Sequence, residues 1–231
     1  MERRRATLLA LLVTFLWSTS WVLIKLGLQH SLPPISFAGL RYMLAFICLV
    51  PFVLFNRAQR ARLLHLEGKD WAWLAALGLV YYALTQGSQY FSLAYLPAAL
   101  VSLLLNLTPL IVCLGGFFFL AERPTSLQWL GLALTVAGVV AYFRSENLHI
   151  DHWLGLVVAL LGVLTNAASS VMGRHVNRSG RLPPLLVTFV SMGVGALLLS
   201  VFGGVTQGFG QLPGPHWLTI ASLALVNTGL A

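Results

Sequence analysis

Residues 35–69 read ISFAGLRYMLAFICLVPFVLFNRAQRARLLHLEGK: an apolar run, interrupted near its start by Arg41, leads directly into a turn carrying Arg57, Arg60, Arg62 and Lys69. About 20 apolar residues as a helix are long enough to cross the hydrocarbon core of a bilayer. A basic cluster at one end of such a run marks the side that insertion keeps cytoplasmic. The pattern recurs along the chain. Arg3, Arg4 and Arg5 precede the first apolar segment, Arg123 follows the fourth, and Arg174, Arg178 and Arg181 follow the sixth. The intervening connections are nearly free of Lys and Arg, with Arg144 the exception and Lys25 and Arg41 at the rims of apolar runs. The chain reads as a multi-pass protein of the cell (cytoplasmic) membrane with a cytoplasmic N-terminus.

Composition points the same way. With 58% hydrophobic and 9% charged residues and a mean hydropathy of +0.84, too few polar side chains are present to cover a water-soluble globule. A formal charge of +8 would suggest nucleic acid in a soluble domain. Here the basic residues are scattered over separate turns, where orientation and anionic headgroups account for them, so no nucleic-acid partner is expected. Cys48 and Cys113 lie within apolar runs and read as small buried hydrophobes rather than a disulfide or zinc pair. The N-terminus resembles a signal peptide, but its apolar stretch is too long and lacks a small-residue cleavage site, so it is expected to remain as the first helix.

Apolar windows place helices near 6–27, 35–55, 71–93, 97–120, 127–143, 153–173, 184–202 and from 216 onward. A segment in lipid must satisfy its own backbone, and these runs lack the alternation of barrel strands, so the expected fold is all-α and polytopic, with about eight transmembrane helices. Trp71, Trp73, Trp129, Trp153 and Trp217 open segments, as an interfacial belt would. The connections 56–70 and 203–215 are expected as loops. The triplet Leu32, Pro33, Pro34 recurs as Leu182, Pro183, Pro184, and Trp71 recurs as Trp217, both at offsets of about 150 residues. Prolines commonly open helices, so either coincidence or duplication fits the triplet alone; the second match in the same order favours duplication. Units of five helices, an odd number, necessarily point opposite ways. The expected organisation is a first repeat over 1–145 and a partial, inverted second repeat over 146–231.

Particular residues carry a family likeness. Trp17, Ser18 and Trp21 in the first helix, Lys25 at its end, Arg41 early in the second, and Asn106–Leu107–Thr108–Pro109 leading to Ala121, Glu122, Arg123, Gln128 and Gly131 resemble the pattern of the drug/metabolite transporter superfamily, particularly its EamA-like members. The resemblance is good over 7–143 and weaker beyond. It implies two inverted five-helix repeats and transport of small organic metabolites. Against that pattern the second repeat stops inside its third helix, which gives the expectation of a C-terminally shortened carrier, either a fragment or a genuine short variant, lacking half of a central pathway.

Polar side chains inside such a bundle are the candidate pathway, since each is costly in hydrocarbon unless paired or wetted. Gln86 and Tyr90 share a helical face with Tyr82 one turn earlier, either lining a cavity or binding neighbouring helices. Trp17 and Trp21, with Ser18, lie too deep for an interfacial belt and suit an amphipathic solute, or else pack against lipid. Pro109 frees the carbonyl near Leu105 and, beside Asn106, predicts a kink that either bends during transport or is static. Arg41 and Lys25 are the charges nearest the core, with Lys25 read as snorkelling and Arg41 as able to neutralise a carboxylate. Asn166, with Ser169 and Ser170, occupies the repeat position of the Trp17 region. Glu122 reads as structural, and paired glycines such as Gly115 and Gly116, Gly131 and Gly138, and Gly193 and Gly195 read as permitting close helix packing.

No Asp, Glu or His falls mid-segment, so a carboxylate or imidazole proton relay is not evident, and exchange down a gradient stands beside proton coupling. The chain has no nucleophile elbow, zinc motif or intramembrane aspartate pair, so neither enzyme activity nor a cofactor or metal is expected. The expected function is transport of small organic metabolites, amino acids or related solutes, as export by alternating access. A non-transporting membrane packing protein, or an inactive fragment of such a carrier, is the alternative. The partners are a small-molecule solute and the lipid bilayer, with self-association into a homo-oligomer left open.

Overall fold

The computed structural model describes residues 2–29, 32–120, 124–145, 153–178, 180–210 and 214–229, and every regular element among them is helical. In chain order these are α1 (Glu2–Gln29), α2 (Pro34–Leu54), α3 (Arg57–Leu64), α4 (Gly68–Leu77), α5 (Gly87–Tyr95), α6 (Ala98–Leu105), α7 (Thr108–Leu120), α8 (Ser126–Ser145), α9 (Trp153–Arg178), α10 (Pro184–Thr206) and α11 (Gly214–Ala224). Two π-helical stretches complete them, Gly78–Gln86 joining α4 to α5 and Leu225–Gly229 extending α11. Five stretches are long and apolar enough to cross a membrane: Leu11–Leu28, Pro34–Leu54, Ala98–Phe117, Trp153–Arg178 and Pro184–Thr206. The remaining three expected spans differ for local reasons. The third is interrupted by its π-helical stretch, the apolar part of α8 is shorter, and the last runs out at the limit of the described residues.

Local chemistry sets the boundaries. Pro33 and Pro34 open α2, where a fixed φ is preorganised for the helix and no amide is lost. The turn expected over 56–70 is not a simple loop. Asn56 caps α3 by accepting from the amides of Ala58 (3.0 Å) and Gln59 (3.2 Å), and Glu67 and Asp70 form a reciprocal capping box that starts α4 at Gly68. Capping by these polar side chains, which hydropathy does not register, nucleates helix there. Thr125 and Gln128 form a similar box at the start of α8 (2.7 and 3.4 Å), which gives the family-like Gln128 a structural task.

The expected kinked fourth helix is instead two helices. α6 ends at Leu105, Asn106 and Leu107 form a turn, and α7 begins at Thr108. Pro109 is the second residue of α7, where an amide is not needed, so the proline opens a helix rather than bending one.

The most extensive helix crossing among the described residues joins α2 and α10. A Cβ on Gly39 would lie 2.8 Å from the Ser200 backbone, and one on Gly203 would lie 2.7 Å from the Ser36 amide. Ser36 pairs with Gly203 and Gly39 with Ser200, so the two helices run antiparallel. Cross-links agree: the Ile35 amide donates to Gln207 Oε1 (3.0 Å) and Ser36 Oγ to the Gly208 carbonyl (2.5 Å), which sets the start of α2 beside the end of α10. Gly195 has the same effect against the π-helical stretch, where an added Cβ would collide with Tyr82. By contrast Gly131 and Gly138 on α8, and Gly115 on α7, have nothing within 4 Å of an added Cβ, so the packing role expected for such glycines does not extend to them.

Two apolar clusters fill the bundle. The larger, with Phe37, Tyr90, Leu93, Leu100, Ala196 and Ile220, occupies the centre and the end near Pro34. The smaller, with Val53, Leu74, Leu186, Val187 and Phe189, lies at the end carrying the 56–70 connection. That second end, where Arg181 also reaches Glu67 (3.4 Å) and Asp70 (3.7 Å), is here called the basic end. α8 lies at the periphery with Leu127, Leu130 and Leu134 exposed, as a lipid-facing helix requires.

Two outcomes follow. Gly203→Val is expected to destabilise by about 1–3 kcal/mol, because overpacking displaces α2. Gly131→Val is expected to leave the unfolding midpoint in detergent unchanged. In a chain carrying Cys48→Ala and Cys113→Ala, single cysteines at Arg60 and Phe209 should label from opposite faces of the membrane; labelling of both from one face contradicts the antiparallel crossing.

Candidate functional site

Arg41 is seven residues into α2, on the face that meets α5 and the end of α11, and only 5% of it is exposed. Its Nη1 donates to Tyr90 Oη at 3.0 Å and its Nε to Thr228 Oγ1 at 3.1 Å. Its guanidinium lies 5.2 Å from the centre of the Tyr42 ring, within range of a cation–π contact. Thr228 in turn donates to the Leu223 carbonyl (3.0 Å), five residues back, as the wide turn of the π-helical stretch requires. One cation therefore ties α2, α5 and the Leu225–Gly229 stretch together through neutral hydroxyls. Among the described residues no carboxylate reaches it.

Beside this cluster runs a series of aromatic edges. Tyr42 meets Tyr82 with ring centres 5.3 Å apart, Tyr82 meets Tyr81 at 4.8 Å, and Tyr90 meets Phe37 at 5.2 Å, all close to perpendicular. On the far side of Tyr81 and Tyr82, in the half of the bundle nearer the basic end, is a cavity of about 200 Å³. Its polar lining is hydroxylic: Tyr81, Tyr82, Ser169, Ser170, Thr188 and Ser191. Glycine contacts explain how it forms. Because Gly78 and Gly195 have no side chains, the π-helical stretch lies directly on α10, and its widened turn brings Tyr81 and Tyr82 together at the cavity wall.

The structure treats the sequence candidates unequally. Arg41, Tyr82 and Tyr90 are brought into one neighbourhood. Gln86 is half-buried and hydrogen-bonds Tyr81, five residues back, the spacing that a π turn places on one face. Trp21 is half-buried against the central cluster. Trp17 is 52% exposed, and Ser18 bonds back to the Thr14 carbonyl at 2.8 Å, so this pair faces outward.

Asn106 and Pro109 line a separate groove of about 390 Å³ between the α6–α7 turn and α8, away from Arg41. Asn166 donates to Thr108 Oγ1 at 3.1 Å, pinning α9 to the start of α7, while Ser169 and Ser170 bond its carbonyl at 2.8 Å each. Lys25 does not snorkel. Its Nζ donates to the carbonyls of Leu93 (2.6 Å) and Leu96 (3.0 Å), where the end of α5 leaves acceptors unpaired and the helix dipole favours a cation. Glu122 lies outside the described residues.

Thr228, Tyr42, Tyr81, Thr188 and Ser191 were not among the candidates. An isolated Thr or Ser in an apolar run resembles ordinary back-bonding, and Tyr42 and Tyr81 join the others only through contacts between helices distant in sequence.

The cluster itself is testable. Tyr90→Phe removes an acceptor from a buried guanidinium and is expected to cost about 1–3 kcal/mol by thermal unfolding in detergent. In an Arg41→Leu background the same change is expected to cost much less.

A single family model, that of the EamA-like transporter family, matches twice, over residues 4–144 and over 153–231. Among curated relatives, the uncharacterized transporter YvbV of Bacillus subtilis is 29% identical, covering 91% of this chain and 66% of its own length. A probable amino-acid metabolite efflux pump of Escherichia coli is 28% identical, over 79% of this chain and 58% of its own. The uncharacterized inner membrane transporter YedA of Escherichia coli is 25% identical, over 94% and 68%. The chain thus spans about two thirds or less of the length of these relatives. One solved crystal structure superposes with a TM-score of 0.69 at 20% identity, over 98% of this chain and 76% of that one, and shows the same fold.

Proposed function

The chain belongs to the EamA-like transporter family, a family of membrane transporters rather than enzymes, and from that premise we propose that it carries small organic metabolites, amino acids or related solutes, out of the cell by alternating access. In this reading residues 1–145 are a first repeat and 146–231 a partial, inverted second one, the basic end is cytoplasmic together with the N-terminus, and the membrane is the cytoplasmic one. The relative from Escherichia coli named as an efflux pump supports the metabolite class and the direction.

The observation that carries the proposal is the hydroxyl-lined cavity that stops at Tyr81 and Tyr82. Apolar walls with a few orienting polar groups are the usual make-up of a small-molecule site. At the other end of the bundle, bonds from Lys25, Ile35, Ser36 and Arg41 close the helices on one another. A cavity in one half, with helices bonded to one another in the other half, fits one of two alternating states. Tyr81, Tyr82 and Gln86 would contact solute first, with Tyr90 and Arg41 beyond the tyrosines. Trp21 would border the same route. Trp17, Ser18, Asn106, Pro109 and Asn166 would act through lipid contact or helix packing in this state.

Reconstituted in liposomes, the chain is expected to give saturable flux of radiolabelled phenylalanine. Tyr82→Leu or Gln86→Ala should lower that flux at least tenfold without loss of insertion. Absence of saturable flux from the wild-type chain would favour the non-transporting alternative, and undiminished flux in both variants would remove these residues from the pathway.

A further inference from the structure

The geometry points to Arg41 as the anchor for a carboxylate, and hence to an organic monoanion with an aromatic or apolar body as the preferred solute. This rests on the carrier reading above and narrows it. A guanidinium has five N–H donors; two are taken here, by Tyr90 and Thr228. Both acceptors are neutral. The cation is buried to 5% exposure, and among the described residues no acidic group balances it.

The sequence explains why. All six acidic residues, Glu2, Glu67, Asp70, Glu122, Glu146 and Asp151, lie at or beyond segment ends. A charge in hydrocarbon is expensive unless it is paired, and hydroxyl dipoles offset only part of that cost. The missing counter-charge is the part a bound anion would supply, through the planar fork that matches a carboxylate bidentately.

Two further features select the body of the solute. Between the cavity and Arg41 stand Tyr81, Tyr82 and Tyr42, whose rings meet edge to face, so a solute reaching the guanidinium from that side would pass surfaces that suit a flat apolar group. A zwitterion would bring an ammonium group to a site whose nearest ionised side chain is a cation and which offers it no carboxylate. A monoanion is therefore favoured over the amino acid of the same body.

Three probes share one ring and differ in charge: phenylacetate, phenylalanine and phenylacetamide. Titrated calorimetrically at pH 7.5 against the purified 231-residue chain in a non-ionic detergent, phenylacetate is expected to bind at least tenfold more tightly than phenylacetamide, with phenylalanine between them. Arg41→Gln should abolish that difference, and Arg41→Lys should keep a reduced one, both judged on samples with a wild-type elution profile. The wild-type comparison stands even if Arg41→Gln does not fold. Equal binding of the three probes, or a preference that survives Arg41→Gln, overturns the anion assignment and leaves the carrier reading intact. Binding of none overturns both.

Discussion

The antiparallel approach of α2 to α10, backbone against backbone at Ser36–Gly203 and Gly39–Ser200, is the contact from which the rest of the bundle is positioned. Lipid gives helices no hydrophobic reason to associate, so small residues that allow backbones to approach closely supply the packing. With that crossing fixed, α10 presents Gly195 and Ser191 to the Gly78–Gln86 stretch. The stretch then settles close enough for Tyr82 to meet Tyr42 on α2. Arg41, one residue earlier on α2, is turned toward Tyr90 and Thr228. A larger side chain at Gly39 or Gly203 would act at a distance, through the position of every element that rests on this pair.

Backbone regularity divides along the same line. Peripheral helices such as α8 are regular, as exposure to lipid demands. Irregular backbone is gathered at the centre: the two π-helical stretches border the Arg41 cluster and the hydroxyl-lined cavity. In each, a threonine reaches the carbonyl five residues back, Thr85 to Val80 (2.8 Å) and Thr228 to Leu223 (3.0 Å), so the widened turn keeps its acceptors satisfied. Lys25 serves the carbonyls at the end of α5 in a similar way. Polar side chains that hydropathy would count as intruders are here the partners of an irregular backbone.

That division decides what the sequence could reveal. The all-helical, membrane-spanning class and the order of its apolar segments were legible, because apolar length is summed over many residues and tolerates local error. The Leu–Pro–Pro recurrence at 32 and 182 likewise marked two helix starts that the structure places at opposite ends. Arg41, Tyr82 and Tyr90 were legible as candidates because polarity in an apolar run is conspicuous. The partners were not. Thr228 reaches Arg41 across 187 residues, Tyr81 reaches Gln86 through a π turn that sequence periodicity does not foresee, and Asn166 chooses Thr108 rather than a cavity. Helical periodicity assumes a constant turn, and it fails where the turn changes.

The two ends of the bundle are held by different forces, and the difference bears on how the molecule would move. At the basic end the contacts are chiefly apolar, Val53 and Leu74 against Leu186 and Val187, with an ion pair from Arg181 whose exposure makes it worth little. At the opposite end the closure is directional: Lys25 to α5, Ile35 and Ser36 to the end of α10, Arg41 to the end of α11. Apolar surfaces slide with small loss, whereas each directional bond must be replaced when it breaks, at roughly 1 kcal/mol or more apiece in a site without water. A ligand shifts such a balance only by the difference in its affinity for the two states. Of the cations at this end, Arg41 is the more deeply buried, so its bond to the neutral Thr228 hydroxyl is the one that an anionic ligand would replace with a stronger bond.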